Sequence, residues 1–78
     1  MKIEREPLDK RWKWLAADYG GIWWFYTHKP IKRKEYDEWE VNQSDRDWEE
    51  AIDYKIPFKG DWKDSLHKRN GDEWELVK

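Results

Sequence analysis

Seventy-eight residues with eight tryptophans and no cysteine leave one small domain that must hold together by aromatic packing, without disulfides, zinc-thiolate sites or a thiol nucleophile. Charged residues form 44% of the chain, yet the net charge is only −2 and both signs interleave, which argues against a generic DNA binder and against an acidic DNA mimic. No apolar run approaches the roughly 20 residues of a membrane span, and Met1-Lys2-Ile3-Glu4 does not read as a signal peptide, so a soluble, cytoplasmic protein is expected.

Residues 1–10 are charged, carry Pro7 and read as an irregular lead-in. Over 11–29 a β-hairpin is predicted. Its first run places Trp12, Trp14 and Ala16 on one face, and Asp18-Tyr19-Gly20-Gly21 supplies the turn, since glycine accepts positive φ at no steric cost. The second run, Ile22 to Lys29, is stopped by Pro30. Residues 31–37, with Lys32-Arg33-Lys34 and then Glu35 and Asp37, read as an exposed charged loop. Further strands are expected over 38–56. Trp39 and Val41 alternate with polar residues in a short strand, and Asn42-Gln43-Ser44-Asp45 is turn-like.

Trp48 to Ile56 has two readings. Ser44 with Asp47 could cap a helix carrying Trp48, Ala51 and Ile52, whereas a strand puts Trp48, Ile52, Tyr54 and Ile56 on one face. The strand is favoured because the hairpin needs partners and Pro57 ends the run. Beyond Gly60, a short helix is predicted over 61–69, with Asp61 as its N-cap, Trp62 and Leu66 along it, and basic residues at its C-terminal end. Asn70-Gly71 is a tight turn signal, and Glu73 to Val77 alternates in the manner of an edge strand. The fold class that results is mainly β (α+β), a small antiparallel sheet of three to five strands with one short C-terminal helix.

Nothing in the chain points to catalysis. His28 and His67 lie in different elements, with no spacing that suggests a metal site. Ser44, Ser65 and Thr27 lack a nucleophile-elbow context, and Gly20-Gly21 does not precede a helix as a phosphate loop would. The reading is therefore a non-enzyme with no metal and no cofactor. Binding signals are stronger. On the second strand Trp23, Phe25 and Thr27 face one way, and Ile22, Trp24, Tyr26 and His28 the other. Trp12, Trp14, Trp23 and Phe25 are expected in the core. Trp24, Tyr26 and His28, which carry polar handles, form the candidate exposed set. That second face is either a platform or is covered by the segment around Trp62 and Leu66. As a platform it could stack a planar base, with Lys13, Lys32 and Arg33 on phosphates.

Trp12, Gly20, Trp23-Trp24 and Trp39 loosely resemble the WW-domain pattern, but the Asn-His pair, closing proline and loop length of that family do not match. The chain is similar to small uncharacterised Trp-rich phage proteins that run from a W-x-A-x-D-x-x-G hairpin to a D-W-[KR]-[DE]-S-L end. Here those elements are Trp14-Leu15-Ala16-Ala17-Asp18-Tyr19-Gly20-Gly21 and Asp61-Trp62-Lys63-Asp64-Ser65-Leu66, and the likeness covers residues 12–69. It implies a virus-encoded accessory protein acting inside a bacterium. The expected function is a non-enzymatic inhibitor of a bacterial defence or host process that binds and occludes a host protein. The alternative is sequestration of a nucleotide-type signal molecule by the aromatic and basic residues, with a homodimer closing the pocket. Nucleic acid is not an expected partner.

Overall fold

The Asp18–Gly21 turn organises the centre of the molecule. In the computed structural model, which describes residues 3, 9–33, 35, 38–41, 48–52, 54 and 56–77, this turn joins β1 (Trp14–Ala17) to β2 (Trp23–Tyr26). The Asp18 N–H donates to the Ile22 carbonyl at 2.9 Å and the Gly21 N–H to the Asp18 carbonyl at 3.0 Å, with Gly21 at φ +85°. This is a three-residue hairpin loop whose last position lies in the left-handed region, a geometry that suits glycine. The expected hairpin therefore forms.

Five further strands complete the described chain: β3 (Ile31–Arg33), β4 (Glu38–Glu40), β5 (Trp48–Glu50), β6 (His67–Asn70) and β7 (Glu73–Leu76). An antiparallel five-stranded sheet has the order β5-β2-β1-β6-β7, and β3 and β4 pair separately as a two-stranded ribbon. The protein is mainly β. The lead-in at 1, 2 and 4–8, the turn and capping residues at 42–47, and positions 34, 36, 37, 53, 55 and 78 lie outside the described residues.

The expected helix over 61–69 does not form. Asp61 does act as an N-cap, accepting from the Lys63 N–H at 3.2 Å, but only a single 3-10 turn, Trp62–Asp64, follows it. The reason lies in Ser65, which is fully buried against β1. Its Oγ accepts the Ala17 N–H at 2.9 Å and donates to the Trp62 carbonyl at 2.6 Å, which closes the turn. Residues 67–70 then pair with β1 on one side and, through the Asn70-Gly71 turn with Gly71 at φ +63°, with β7 on the other. Two further expectations need correction. Ile31–Arg33 belongs to the ribbon rather than to a loop, in register Ile31 with Glu40 and Arg33 with Glu38. Among the described residues of Trp48–Ile56 only Trp48–Glu50 is strand; the Ala51 N–H still donates to the Trp23 carbonyl at 2.8 Å, and Ala51 is buried in the core on the Phe25 face.

Each face of the sheet has its own cluster, set by the two-residue period of β2. On one face Leu15, Phe25 and Trp74 are buried with Ile3, Trp12 and Ala51, and Trp23, Tyr54 and Ile56 pack against them. Phe25 is 1% exposed and sits among the rings of Trp12, Tyr54 and Trp74 at 5.1–6.2 Å. On the other face Ala16, Tyr26 and Leu66 are buried beneath Trp14, Trp24, Trp39, Val41 and Val77. Trp14 thus lies on the opposite face from Trp12, Trp23 and Phe25, contrary to the expectation of one shared core. Trp12 precedes β1 and is not bound by its alternation.

His67 is buried between Trp23 and Phe58, with ring centroids at 6.0 and 5.4 Å. Its Nδ1 lies 2.7 Å from the Ser65 carbonyl, an acceptor, which places the proton on Nδ1. Burial pushes its pKa below the ordinary 6.5, against the raising effect of the Ser65 bond. The unfolded chain therefore binds more protons than the folded one below pH 6.5. Stability contributed by neutral His67 is complete above pH 6.5 and is lost as the pH falls toward the folded-state value. Urea titrations over this range should show that slope in the parent and a flatter one in His67→Gln. Equal slopes would mean that other groups carry the acid sensitivity.

Candidate functional site

Because β2 alternates, Trp24 and Tyr26 point to the face on which the ribbon sits. Their neighbours are fixed by register: Tyr26 lies opposite Trp14 in β1 and Trp48 in β5. The ribbon reaches this face through Trp39, whose Nε1–H donates to the Ala17 carbonyl at 3.0 Å and whose ring meets Trp62 edge-on at 6.3 Å. Ala17 needs such partners. The pairing of β1 with β6 stops at Leu15 and His67, so the Ser65 hydroxyl and the Trp39 indole replace strand partners at Ala17.

Between ribbon and sheet lies an open cavity of about 310 Å3. Four aromatic side chains line it, Trp24, Tyr26, Trp39 and Trp48, together with Val41. Three carboxylates share the lining: Asp18 from the hairpin turn, and Glu38 and Glu40 from β4. Asp18 is held by the Ile22 N–H at 3.0 Å on Oδ1 and by the Trp24 Nε1–H at 3.2 Å on Oδ2, so the turn also fixes the Trp24 ring. Glu40 accepts from Arg33 at 2.6 Å, and Arg33 also donates to Glu35 at 3.2 Å. These carboxylates hold the Arg33 guanidinium above its ordinary pKa, with the Glu40 bond the largest cause.

Tyr26 is 5% exposed, contrary to its expected place on an exposed platform. Its phenol is raised well above the ordinary value, first by burial and then by the charges of Asp18 and Glu38. The floor of the cavity is accordingly a neutral phenol in a negative potential.

The sequence-derived set is only partly brought together. Trp24 and Tyr26 line the cavity, and Arg33 stands at its rim bound to Glu40. His28 is exposed beyond the end of β2, 3.0 Å from the Thr27 hydroxyl, and does not reach the cavity. Lys13 is exposed, and its backbone joins the Tyr26 carbonyl to the Arg69 N–H. Lys32 donates to the Lys63 carbonyl at 3.3 Å and lines a second cleft with Lys29 and Lys63 on the lysine-rich side of the ribbon. The phosphate-binding role expected of Lys13 and Lys32 therefore has no counterpart in the lining of this cavity. Sequence reasoning missed Asp18, Glu38, Trp39 and Trp48. The signal for Trp39 was its isolation between two glutamates, an alternation that aims one large ring at a partner surface.

Among the described residues no group of three or more His, Asp or Glu side chains could hold a metal ion, and no helix is long and apolar enough to cross a membrane. No protein-family model matches the chain, nor does any curated protein or solved structure.

Proposed function

We propose that this chain is a non-enzymatic binding protein that occludes a protein partner with the face carrying the aromatic cavity. The observation that carries this reading is Trp48, which is 43% exposed at the mouth of a cavity formed by Trp24, Tyr26 and Trp39. Trp and Tyr dominate protein interface energetics when they can be desolvated by a partner. Half-open rings with carboxylates beside them suit a protein surface better than the phosphates of a nucleotide-type ligand, which would meet like charge. The similarity to small phage proteins supports a bacterial host protein as the partner and the host cytoplasm as the place of action, with inhibition of a defence or host process as the outcome.

The test is capture from bacterial lysate with the parent and two variants, Trp48→Ser and Glu38→Lys, followed by reconstitution with the purified captured protein. Truncation of a central Trp costs about 2 kcal/mol or more, roughly thirty-fold in affinity. The parent should bind one protein that both variants lose, while Lys29→Ala, on the other side of the ribbon, keeps it. A captured protein indifferent to both variants would refute the assignment of this face. Saturable quenching by cyclic nucleotides or ADP-ribose derivatives, lost in Trp24→Ala, would favour the nucleotide reading instead.

A further inference from the structure

The cavity combines ring faces with carboxylates that approach from separate elements. Asp18 comes from the hairpin turn between β1 and β2, whereas Glu38 and Glu40 come from the ribbon. Aromatic faces attract cations through their quadrupole, and do so more strongly where water is partly excluded. Three carboxylates line the cavity, and Arg33 binds one of them, Glu40. The Glu38 side chain has no hydrogen bond or ion pair among the described residues, and both oxygens of Asp18 keep a lone pair after their bonds to Ile22 and Trp24. Arg33 on Glu40 at 2.6 Å shows that this rim already holds one guanidinium in the folded chain. The negative charge is felt inside, since Asp18 and Glu38 both act on the buried Tyr26 phenol.

We propose that the cavity takes the guanidinium of an arginine side chain presented by the partner protein. A guanidinium is planar, stacks on indole faces and carries five N–H donors in a fixed fork, so it can use rings and carboxylates together. A lysine ammonium is a compact and strongly hydrated charge that gains less from stacking. The arginine enters past Trp48, packs against Trp24 and Trp39, and donates to Glu38 and Asp18. The second cleft sets three lysines, Lys29, Lys32 and Lys63, against one carboxylate, Asp64, and so disfavours the same group. This inference rests on the docking role of the face and adds the chemistry of its anchor.

Three probes separate the possibilities: N-acetyl-L-arginine amide, its neutral citrulline counterpart and N-acetyl-L-lysine amide. Each is titrated into the 15N-labelled chain, with the indole N–H signals as readout. The arginine probe should shift the Trp24, Trp39 and Trp48 signals saturably and leave Trp14 in place. The citrulline and lysine probes should bind about ten-fold more weakly. Glu38→Gln should weaken the arginine probe roughly three- to ten-fold with an unchanged melting temperature, because the Glu38 side chain is exposed and makes no bond to the fold among the described residues. Equal binding of citrulline or lysine, or shifts centred elsewhere, would overturn the proposal. A silent arginine probe alongside Trp48-dependent capture of the partner would sink the guanidinium assignment and leave docking intact. A saturating arginine probe alongside capture indifferent to Trp48 would do the reverse.

Discussion

Phe25→Ala is expected to remove about 3–5 kcal/mol of folding stability. Phe25 lies at the meeting point of the rings of Trp12, Tyr54 and Trp74, which reach it from before β1, from beyond β5 and from β7. Truncation would leave a hole bordered by three rigid rings, which cannot all move inward because each is fixed by its own backbone. A chain of this length commands a total stability of roughly 4–12 kcal/mol, so the variant should be partly unfolded near physiological temperature. Trp24→Ala, on the opposite face of the same strand, should cost clearly less, about 1–2 kcal/mol, because that ring is only partly buried and lines an open cavity. Urea unfolding followed by circular dichroism distinguishes the two. A Phe25→Ala loss below about 1 kcal/mol would show that the rings collapse and that the core on this face is not the main source of stability.

The contrast between those neighbours was legible in the sequence, because strand alternation sends Phe25 and Trp24 to opposite faces whatever the rest of the chain does. The turns were equally legible. Gly21 and Gly71 both sit at positive φ, where few other residues are comfortable, so the local sequence specifies them almost alone. The strand β6 was not legible. The cap at Asp61 is a true local signal, but the turn it starts is ended by a hydrogen bond between Ser65 and Ala17, 48 residues away in the chain. Of the ribbon, β4 was expected as a short strand around Trp39, but β3 escaped for a related reason. Ile31 and Lys32 are exposed, so β3 carries no buried pattern, and its pairing rests on β4 and on the bond between Arg33 and Glu40. The site shows the same division. Trp24 and Tyr26 follow from alternation and Asp18 from the hairpin turn that binds Trp24, whereas Glu38, Trp39 and Trp48 reach it from separate segments by pairings that no local window contains. Placing Lys13 and Lys32 beside them assumed that nearness along the chain is nearness in space.

Trp39→Ala should both destabilise the protein, by about 3 kcal/mol, and release the ribbon from the sheet. Trp39 joins the two by three means: its bond to the Ala17 carbonyl at 3.0 Å, its edge-on contact with Trp62, and the cover it gives to Ala16, Tyr26 and Leu66. Of the other ties, Val41 packs beside it and Lys32 reaches the Lys63 carbonyl at 3.3 Å from an exposed position, where a hydrogen bond competes with water and contributes little. Trp39→Phe separates the contributions. A phenyl ring keeps most of the cover but not the N–H, leaving the Ala17 carbonyl with only the Ser65 hydroxyl at 3.2 Å, which is already committed to Trp62 at 2.6 Å. It should recover most of the stability and leave a deficit of about 1–2 kcal/mol for the orphaned carbonyl. Hydrogen exchange gives the second readout. In Trp39→Ala the amides of β3 and β4 should lose protection while those of β1 and β2 keep theirs, since a two-stranded ribbon is only marginally stable without a surface to pack on. If ribbon and sheet instead lost protection together, the ribbon would be part of one cooperative unit, and the cavity between them would be as rigid as the core.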